Sequence, residues 1–487
     1  METTDLATLS VALTPDAGRP AYRQLYEQIR TRILTGRLSP GARLPASRTF
    51  AAELGVSRTT VVAAYDQLQS EGYIEQRRGA GAYVTDLPPE HLTGRGPTPP
   101  STPDTACRTS AHLPPPLAPM LPELEPATRK VLARMLQRGF QDLDDVFLDR
   151  GDPFGLPALR TAIAAHLAEW RGLAADPARI IITSSSTESL GLVMAALMPT
   201  GSDVVMEDPG YPDMRDALTE AGRTPLPVPV DGEGLMTDRL PDGPGVRGAV
   251  VTPSRQFPLG MTLSLTRRLA LLDWAAAGDR YVVEDDFDSE YRYVGSPLEA
   301  LAHLDRSGRV IYLGSFSKVL FRALRISYLV VPAGTVDRFR TALGQRPAAA
   351  SIVTQPGIAG FIRSGRFAAH LRRMRRLYGE RYRALDAAIA THAADLLDLQ
   401  RIDSGMHAIA WPTAALSGQM TDRQASARIA AAGLAARALS PFYALQPAQQ
   451  GLILGFAGFD PATIDSAVAR MATALRRPAL HRSPPGA

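Results

Sequence analysis

The chain has 487 residues, of which 45% are hydrophobic and 21% are charged, and its formal net charge is +4. At about 150 residues per domain this length suggests roughly two to four domains. The composition excludes a chain that is disordered throughout, a collagen-like chain and a disulfide-rich scaffold. Its single cysteine, Cys107, cannot form an internal disulfide. Since no apolar run approaches about 18 residues and the N-terminus does not resemble a secretory signal, we expect a soluble cytoplasmic protein with no membrane partner.

Lysine and net charge are unevenly distributed. Only Lys130 and Lys318 are lysines among 53 basic residues. Arginine cannot replace lysine where a neutral amine acts as a nucleophile, so both lysines are candidates for chemistry. Residues 19–86 carry ten arginines against six acidic residues, which accounts for the whole net charge. This local excess of positive charge favours binding of an anionic partner to this segment.

The pattern of residues divides the chain into five parts. A short tail, 1–19, precedes a patterned segment at 20–86. Residues 87–126 contain 12 prolines in 40 positions and predict an extended, semi-rigid linker. Residues 127–476 alternate strand-like and helix-like runs, and 477–487 form a second tail.

Three helices are predicted in the segment 20–86. The first covers 22–35, the second covers 47–54 and ends at Gly55, and the third covers 58–69 with Ser57 as its N-cap. The residues expected to face a shared core are Leu25, Ile29, Ile33, Val61, Tyr65 and Leu68. Two short strands, 73–76 and 82–85, then enclose a basic, glycine-rich tip.

The start of the third helix and the tip of the hairpin are candidate DNA contacts. Helix–turn–helix proteins present this first helical turn to base edges in the major groove, and a β-wing needs arginine and backbone freedom to follow phosphates. The alternative is a small helical domain with no role in nucleic-acid binding. The predicted contacts are Ser57, Arg58, Thr59, Thr60, Arg77 and Arg78.

This segment resembles the winged-helix domain of GntR regulators. The resemblance rests on residues 36–48 (GRLSPGARLPASR) and 54–61 (LGVSRTTV), and it covers residues 20–86. It implies binding to double-stranded operator DNA, with Arg43 and Arg48 as further contacts.

Residues 127–476 predict an α/β fold with a mostly parallel sheet, because short apolar strands alternate with helices. The predicted strands are 179–183, 203–206, 248–252, 281–284 and 310–313, and the helices between them include 156–171 and 264–277.

Lys318 lies directly after the predicted strand 310–313. An amine at a strand end, flanked by hydroxyl groups and an arginine, suits a phosphorylated aldehyde: lysine forms the Schiff base, and Ser315, Ser317 and Arg325 hold the phosphate. A surface lysine is the alternative, which we rank lower because the chain has only two lysines.

Two other strand ends carry groups that such a ligand requires. Asp285 or Asp286 follows a strand and can keep a pyridine nitrogen protonated, although either can also be an ordinary loop acid. Ser186 and Thr187 precede the apolar stretch 190–197, where hydroxyl groups and free amides form an anion site. Such residues also serve simply as helix caps.

These segments together resemble fold-type I aminotransferases. The resemblance rests on six stretches: 150–160, 207–212, 252–260, 284–291, 404–407 and 454–457. It implies pyridoxal 5'-phosphate as cofactor, with Lys318 as the aldimine lysine, Asp285 as the pyridinium partner and Tyr211 stacked on the ring. It also implies a homodimer. A GntR-like domain, a linker and an aminotransferase-like domain in this order resemble the MocR subfamily of regulators.

Several positions depart from the pattern of that subfamily. Arg255 stands where histidine is usual, Phe287 replaces tyrosine, and residues 184–188 lack the usual glycine. Since phenylalanine cannot donate to the ring oxygen of the cofactor, Arg255 and Gln256 are candidate replacements. Further departures are Arg322 for proline, Ser327 for glycine, and the absence from 451–455 of the arginine that aminotransferases use to bind a substrate carboxylate.

The sequence therefore predicts a transcription regulator that senses pyridoxal 5'-phosphate or an amine adduct of it, with a small amine or amino acid as an additional effector and no metal. One alternative is a working aminotransferase with a DNA-binding tether, and another is a regulator whose second domain only dimerises. The eight arginines between 361 and 383 predict a solvated helix face, or a strip that contacts DNA phosphates.

Overall fold

The structure is a computed structural model that describes residues 11, 13, 19–77, 81–86, 114–123, 125–149, 151–295, 298–345, 350–447 and 449–476. The chain forms two compact units, Met1–Ala111 and His112–Ala487. None of the described helices is long and apolar enough to cross a bilayer.

The first unit is a three-helix domain with a two-stranded antiparallel hairpin. Its elements are α1 (Ala21–Leu34), α2 (Ser47–Leu54), α3 (Arg58–Ser70), β1 (Ile74–Arg77) and β2 (Gly81–Val84). All six residues that the sequence predicted to face the core are buried. Gly55 ends α2 in the left-handed region, and the Ser57 side chain caps α3 by accepting from the amide of Thr60.

An eight-stranded sheet forms the centre of the second unit, in the order β3-β10-β9-β8-β7-β4-β5-β6. Its strands are β3 (Ile180–Thr183), β4 (Asp203–Asp208), β5 (Thr224–Asp231), β6 (Gly234–Leu235), β7 (Val246–Val251), β8 (Tyr281–Asp286), β9 (Val310–Ser315) and β10 (Ser327–Val330). The pairs β4–β5, β4–β7, β7–β8 and β8–β9 are parallel, whereas β10 and β6 are antiparallel to their neighbours. The predicted α/β fold is confirmed.

Most strands of this sheet are buried along their length, whereas β5 is largely half-buried. Helices alternate with these strands along the described part of the chain. They are α4 (Pro126–Gln141), α5 (Asp145–Asp149), α6 (Pro157–Arg171), α7 (Ser186–Leu197), α8 (Pro212–Glu220), α9 (Leu265–Ala277), α10 (Leu301–Leu304), α11 (Val336–Gln345), α12 (Gln355–Arg363) and α13 (Arg366–His392).

A smaller antiparallel sheet follows, in the order β11-β12-β14-β13. Its strands are β11 (Leu397–Leu399), β12 (His407–Pro412), β13 (Arg437–Ala438) and β14 (Leu452–Gly455). The helices α14 (Ala414–Ser417), α15 (Asp422–Ala431) and α16 (Pro461–Arg476) complete this part of the chain.

Residues 114–123 differ from the linker that their prolines predicted, because they pack against the second unit. Leu117 is fully buried and Met120 is 7% exposed. The amide of Gly455 donates to the carbonyl of Leu117 at 2.8 Å. Two apolar side chains among the prolines anchor this stretch, whereas proline content alone indicated an extended segment. Most of the predicted linker, including Cys107, lies outside the described residues.

Candidate functional site

The residues that the sequence selected in the second unit follow strands whose carboxyl ends lie at one edge of the large sheet. Asp285 is near the end of β8 and Lys318 follows β9, and β8 and β9 are parallel neighbours. Tyr211 follows β4, and Ser186 begins α7 after β3. Open α/β sheets bind their ligands at this edge, so the topology brings the predicted residues to one place.

The two adjacent carboxylates at the end of β8 have different surroundings. Asp286 accepts from the hydroxyl of Tyr312 at 2.5 Å and from that of Ser289 at 2.8 Å, and it pairs with Arg171. Asp285 is buried and has none of these contacts among the described residues, although Oδ1 of both aspartates lacks a hydrogen-bond partner there. Burial, followed by the neighbouring charge of Asp286, raises the pKa of Asp285 to about 7. Asp285 is therefore the carboxylate that is available to a ligand.

Lys318 has an environment that favours its neutral form. Burial, followed by the nearby charge of Arg322, lowers the pKa of its amine to about 8, while Asp285 acts in the opposite direction. The neutral amine is the nucleophilic form, so a lowered pKa increases its reactivity near neutral pH. The charges of Asp285 and Lys318 thus act on each other across adjacent strands.

Tyr211 is the N-cap residue of α8 and belongs to an aromatic cluster beside Asp285. Its hydroxyl donates to Asp213 Oδ2 at 2.8 Å, and its ring meets that of Phe257 edge-to-face at 5.2 Å. Phe257 also contacts the rings of Phe287 at 5.6 Å and Phe442 at 5.7 Å. Burial raises the pKa of Tyr211, and the charge of Asp285 acts in the same direction.

The loop between β9 and β10 holds the candidate phosphate ligands. Ser315 Oγ accepts from the amide of Ser317 at 3.2 Å and bonds to Ser327 Oγ at 2.9 Å. Arg325 is exposed, and no acceptor among the described residues lies within hydrogen-bonding distance of its guanidinium. A guanidinium without a partner among the described residues, on the same loop as paired hydroxyl groups, is suited to a phosphate group.

The N-terminus of α7 is the second candidate phosphate contact. Ser185 caps this helix by accepting from the amide of Glu188 at 3.1 Å. Helices leave their first amides unsatisfied, so those of Ser186 and Thr187 can bind an anion. The Glu188 carboxylate turns back to the same helix end and accepts from the amide of Ser184 at 2.5 Å.

The two candidate replacements for the missing phenol at position 287 already have partners. Arg255 is buried, donates to the carbonyl of His407 at 2.8 Å and lies 3.4 Å from Asp288. Gln256 donates to the carbonyls of Pro209 and Phe257, each at 2.7 Å. Contact between Arg255 and the cofactor stays a prediction.

Residues 451–455 carry no arginine, and the arginine opposite them is Arg437 on the neighbouring strand β13. It pairs with Ile453 of β14, and its guanidinium lies 5.1 Å from the centre of the Phe442 ring. Arg437 is exposed and lines an open surface hollow, whereas Tyr211 lines a separate cavity of about 170 Å³, and Phe442 borders both. Strand pairing thus brings Arg437 next to residues 451–455 without placing it in the cavity beside Tyr211.

The residues at this sheet edge fit pyridoxal 5'-phosphate. A buried carboxylate oxygen without a partner matches a protonated pyridine nitrogen, because a buried charged acceptor requires a donor. The lowered pKa of Lys318 matches attack on an aldehyde. The unpaired guanidinium of Arg325 matches the phosphate.

The predicted DNA contacts in the first unit lie on its surface. Arg43, Arg48, Ser57, Arg58 and Thr59 are exposed, and Thr60 is half-buried. The hydroxyl groups of Ser57, Thr59 and Thr60 form a local cluster, with Ser57 Oγ 2.7 Å from Thr59 Oγ1 and 2.8 Å from Thr60 Oγ1.

In the hairpin, Arg77 pairs with Glu75 at 2.6 Å and lies over the ring of Tyr83. Arg43 forms a β-bridge with Tyr83, which brings the loop before α2 next to the hairpin. Arg78 lies outside the described residues.

The arginines between 361 and 383 have two kinds of environment. Arg373 pairs with Glu125, Arg381 pairs with Glu123, and Arg375 lies 4.5 Å from the centre of the Trp170 ring. These three hold parts of the second unit together. The remaining five are exposed, namely Arg363, Arg366, Arg372, Arg376 and Arg383.

Comparison with known families agrees with this division. Residues 21–84 match the model "Bacterial regulatory proteins, gntR family", and residues 127–471 match "Aminotransferase class I and II". A probable rhizopine catabolism regulatory protein MocR from Rhizobium meliloti is 38% identical over 476 residues, which cover 96% of each chain. The chain belongs to the MocR subfamily of GntR-type regulators.

A second regulator of this subfamily is similar over nearly the same length. The HTH-type pyridoxine biosynthesis transcriptional regulator PdxR from Corynebacterium glutamicum is 35% identical over 479 residues, covering 96% of this chain and 99% of PdxR. Relatives of this MocR-type chain are thus transcription regulators with both domains.

Solved aminotransferases share the fold of the second unit. The kynurenine aminotransferase of Pyrococcus horikoshii aligns with a TM-score of 0.65 and 26% identity, over 75% of this chain and 91% of its own. The α-aminoadipate aminotransferase LysN of Thermus thermophilus aligns with a TM-score of 0.63 and 27% identity, over 74% of this chain and 91% of its own. The MocR-type chain therefore joins a DNA-binding domain to an aminotransferase fold.

Proposed function

We propose that this regulator binds pyridoxal 5'-phosphate through Lys318, and that occupancy of this site changes its affinity for operator DNA. The observation that carries the proposal is that Asp285, buried at the end of β8, has in the described part of the chain neither the hydroxyl contacts nor the arginine of Asp286, and that its charge acts on Lys318. An unsatisfied buried carboxylate is costly unless a ligand completes it.

Each residue at the sheet edge has a separate task in this proposal. Asp285 holds a proton on the pyridine nitrogen, Tyr211 covers the ring, and Lys318 supplies the amine that attaches the aldehyde. Arg325, with Ser315, Ser317 and the first turn of α7, neutralises the phosphate. The bound cofactor supplies an electron-withdrawing ring to an attached amine.

The relatives indicate which ligands to test. The LysN structure contains N-(5'-phosphopyridoxyl)-L-leucine, an adduct of the cofactor with an amino acid, and the kynurenine aminotransferase structure contains PMP. The MocR name refers to rhizopine catabolism and the PdxR name refers to pyridoxine biosynthesis. We propose the cofactor itself, or its adduct with an amine or amino acid, as the effector of this chain.

The DNA-binding half of the proposal rests on the winged helix. The exposed first turn of α3 presents Arg58 and Thr59 to base edges, while Arg43, Arg48 and the hairpin contact phosphates. We propose a homodimer, since two heads would read two half-sites of one operator. Sedimentation of the full chain with cofactor should show a dimer, and a monomer at micromolar concentration would contradict it.

The two lysines provide an internal control for the cofactor site. Protein mixed with one equivalent of pyridoxal 5'-phosphate should gain a visible absorption band, and borohydride reduction should then fix the label on Lys318. Lys130 is exposed on α4 and should remain unlabelled. Lys130→Ala should retain the band and Lys318→Ala should lose it. A label on Lys130 alone, or an unchanged band in Lys318→Ala, would contradict the proposal.

Aminotransferase activity is the second candidate function, and the match of residues 127–471 to aminotransferases favours it. The full-length protein with cofactor should then turn over amino acids in a transamination assay. Absence of turnover across a panel of amino donors and keto acids would exclude this function.

A further inference from the structure

Residues 114–123, which we call the strap, connect the linker to the second unit. The amide of Gly455 donates to the carbonyl of Leu117 at 2.8 Å, and that of Ala435 donates to the carbonyl of Pro116 at 2.9 Å. A Cβ atom at Gly455 would collide with the carbonyl of Ala118. Position 455 therefore accommodates the docked strap only as glycine.

The backbone of the docked strap is strained. Leu117 has a φ of 70° and Met120 has a φ of 62°, so both residues occupy the left-handed region that non-glycine residues avoid. Such conformations persist where surrounding contacts hold them. The strap is thus an element whose docking depends on its contacts.

One of these contacts comes from the loop that carries Lys318. Arg322 Nη2 donates to the carbonyl of Met120 at 3.0 Å and to that of Pro119 at 3.4 Å. Arg322 lies only four residues after Lys318 on the same loop. A shorter side chain without a donor could not make these bonds.

A second route joins the other end of the strap to the same loop. The amide of Glu123 donates to the hydroxyl of Tyr378 at 2.9 Å, and the rings of Tyr378 and Tyr291 lie 4.8 Å apart. Tyr291 in turn donates to the carbonyl of Val319 at 3.2 Å. The loop therefore contacts the strap directly through Arg322 and indirectly through two tyrosines.

We propose that Arg322 is a positioning residue that couples occupancy of the Lys318 site to docking of the strap. The inference rests on the proposed function, because it requires a ligand at Lys318. Through it, the cofactor site would control the effective length of the linker that ends at the DNA-binding unit.

Electrostatic interactions of Arg322 determine whether docking of the strap favours or opposes binding of the cofactor. The strap carbonyls hold Arg322 where its positive charge lowers the pKa of Lys318 and so favours the neutral amine that attacks an aldehyde. An anionic cofactor then attracts the guanidinium to the same place. Docking thus favours loading, and by reciprocity loading favours docking to the same extent.

Release of the strap would change the reach of the DNA-binding heads. Ten additional proline-rich residues, at about 3.1 Å each, lengthen an extended linker by roughly 30 Å. That distance is close to one turn of DNA, about 34 Å, which separates adjacent half-sites. Loading would therefore select between two half-site spacings.

Hydrogen exchange of the full-length protein tests this coupling. The amides of Ala435 and Gly455 bond to the strap and report its docking. In the wild type, we expect saturating pyridoxal 5'-phosphate to slow the exchange of these amides about fivefold. In Arg322→Ala, the exchange rates with and without the cofactor should differ by less than about a factor of two. Arg306→Ala, which removes another exposed arginine, should behave as the wild type.

Absorption measured on the same samples separates the two hypotheses. No cofactor band at saturation would overturn the proposed function, whereas a band without slower exchange in the wild type would overturn the coupling alone. If the cofactor slowed amide exchange equally in Arg322→Ala, Arg322 would not couple cofactor binding to docking of the strap. As a second variant, Gly455→Ala should displace the strap and weaken cofactor binding about fivefold by reciprocity, and unchanged binding there would also overturn the coupling.

Discussion

Arg171 Nε lies 2.8 Å from Asp286 Oδ2, and both side chains are buried. Arg171 is the last residue of α6 and reaches the end of β8, where it neutralises one of two adjacent carboxylates. Asp285 is the other, and in the described ranges it has neither an arginine nor a hydroxyl partner such as Asp286 has, although Oδ1 of both lacks a hydrogen bond. This ion pair explains why one aspartate is structural while its neighbour remains available to a ligand.

The contribution of Asp285 to the stability of the cofactor-free protein should fall as pH rises from about 4 to about 7. Burial raises the pKa of Asp285 from 3.8 to about 7, so the folded state holds a proton that the unfolded state has released. The contribution to the free energy of unfolding falls by at most about 1.4 kcal/mol per pH unit. Glu207, Glu284 and Asp288 act in the same direction, because burial raises the pKa of each. Burial lowers the pKa of His370 and His407, which act in the opposite direction.

Urea unfolding at a series of pH values measures this slope. Asp285→Asn removes one of these proton sites, so the slope of its free energy of unfolding against pH should be more positive than that of the wild type. Asp386→Asn, which changes an exposed carboxylate on α13, should leave the slope unchanged. Identical slopes for Asp285→Asn and the wild type would show that Asp285 is not protonated in the folded state.

Glu188→Gln should strengthen cofactor binding. The Glu188 carboxylate lies at the N-terminus of α7, where the phosphate is expected, and glutamine keeps an oxygen to accept from Ser184. Removing one like charge at roughly 4 Å in a solvated site is worth about 1 kcal/mol, or about fivefold in Kd. Absorption titration with pyridoxal 5'-phosphate measures it, with Glu220→Gln as an exposed control. Weaker binding in Glu188→Gln would place the phosphate elsewhere.

Phe287→Tyr should lower the pH at which the band of the bound cofactor shifts. The new phenol would donate to the ring oxygen and favour the deprotonated form, whereas Arg255 and Gln256 are already engaged. One such hydrogen bond corresponds to roughly one pH unit. Phe140→Tyr, at an exposed position on α4, should leave the midpoint unchanged.

The same missing phenol predicts that the wild type transaminates common amino acids far more slowly than about 10 s⁻¹, a typical turnover for enzymes. An unmoved midpoint in Phe287→Tyr would contradict the role of this position, and rapid turnover in the wild type would contradict the prediction of low activity.

Arg58→Ala should reduce selectivity for the operator. Arg58 is exposed on the first turn of α3, and a good base contact contributes about 1–3 kcal/mol of discrimination. Arg77→Ala in the hairpin should weaken binding to operator and random DNA equally, and lower the salt slope by about one. Fluorescence anisotropy with both DNAs distinguishes the two effects. Equal losses for Arg58→Ala on both DNAs would exclude base reading.

Sequence patterns predicted most of the fold because the spacing of apolar residues in a helix and the ends of a strand can be recognised within a short stretch of sequence. The predicted first helix, 22–35, differs by one residue at each end from Ala21–Leu34, and the strand predicted at 281–284 forms within Tyr281–Asp286. The sequence also placed Asp285 and Lys318 at the ends of predicted strands, and the structure shows these two strands as parallel neighbours.

Long-range partners were beyond sequence reasoning. Nothing near Asp286 in the chain shows that Arg171 neutralises it, so the choice between Asp285 and Asp286 required the structure or a family resemblance. The docking of Leu117 depends on Gly455, more than 300 residues away. The proline content of the strap predicted a linker. Composition alone does not show that apolar side chains such as Leu117 become buried.

Operator affinity with and without pyridoxal 5'-phosphate tests most directly whether Lys318 controls DNA binding. DNA fragments selected by the full-length protein from its own genome would serve as operator, with Lys130→Ala as the matched control. We predict that saturating cofactor changes operator affinity by about fivefold or more in the wild type and Lys130→Ala, and leaves it unchanged in Lys318→Ala. An equal change in Lys318→Ala, or none in the wild type that has bound the cofactor, would contradict the account.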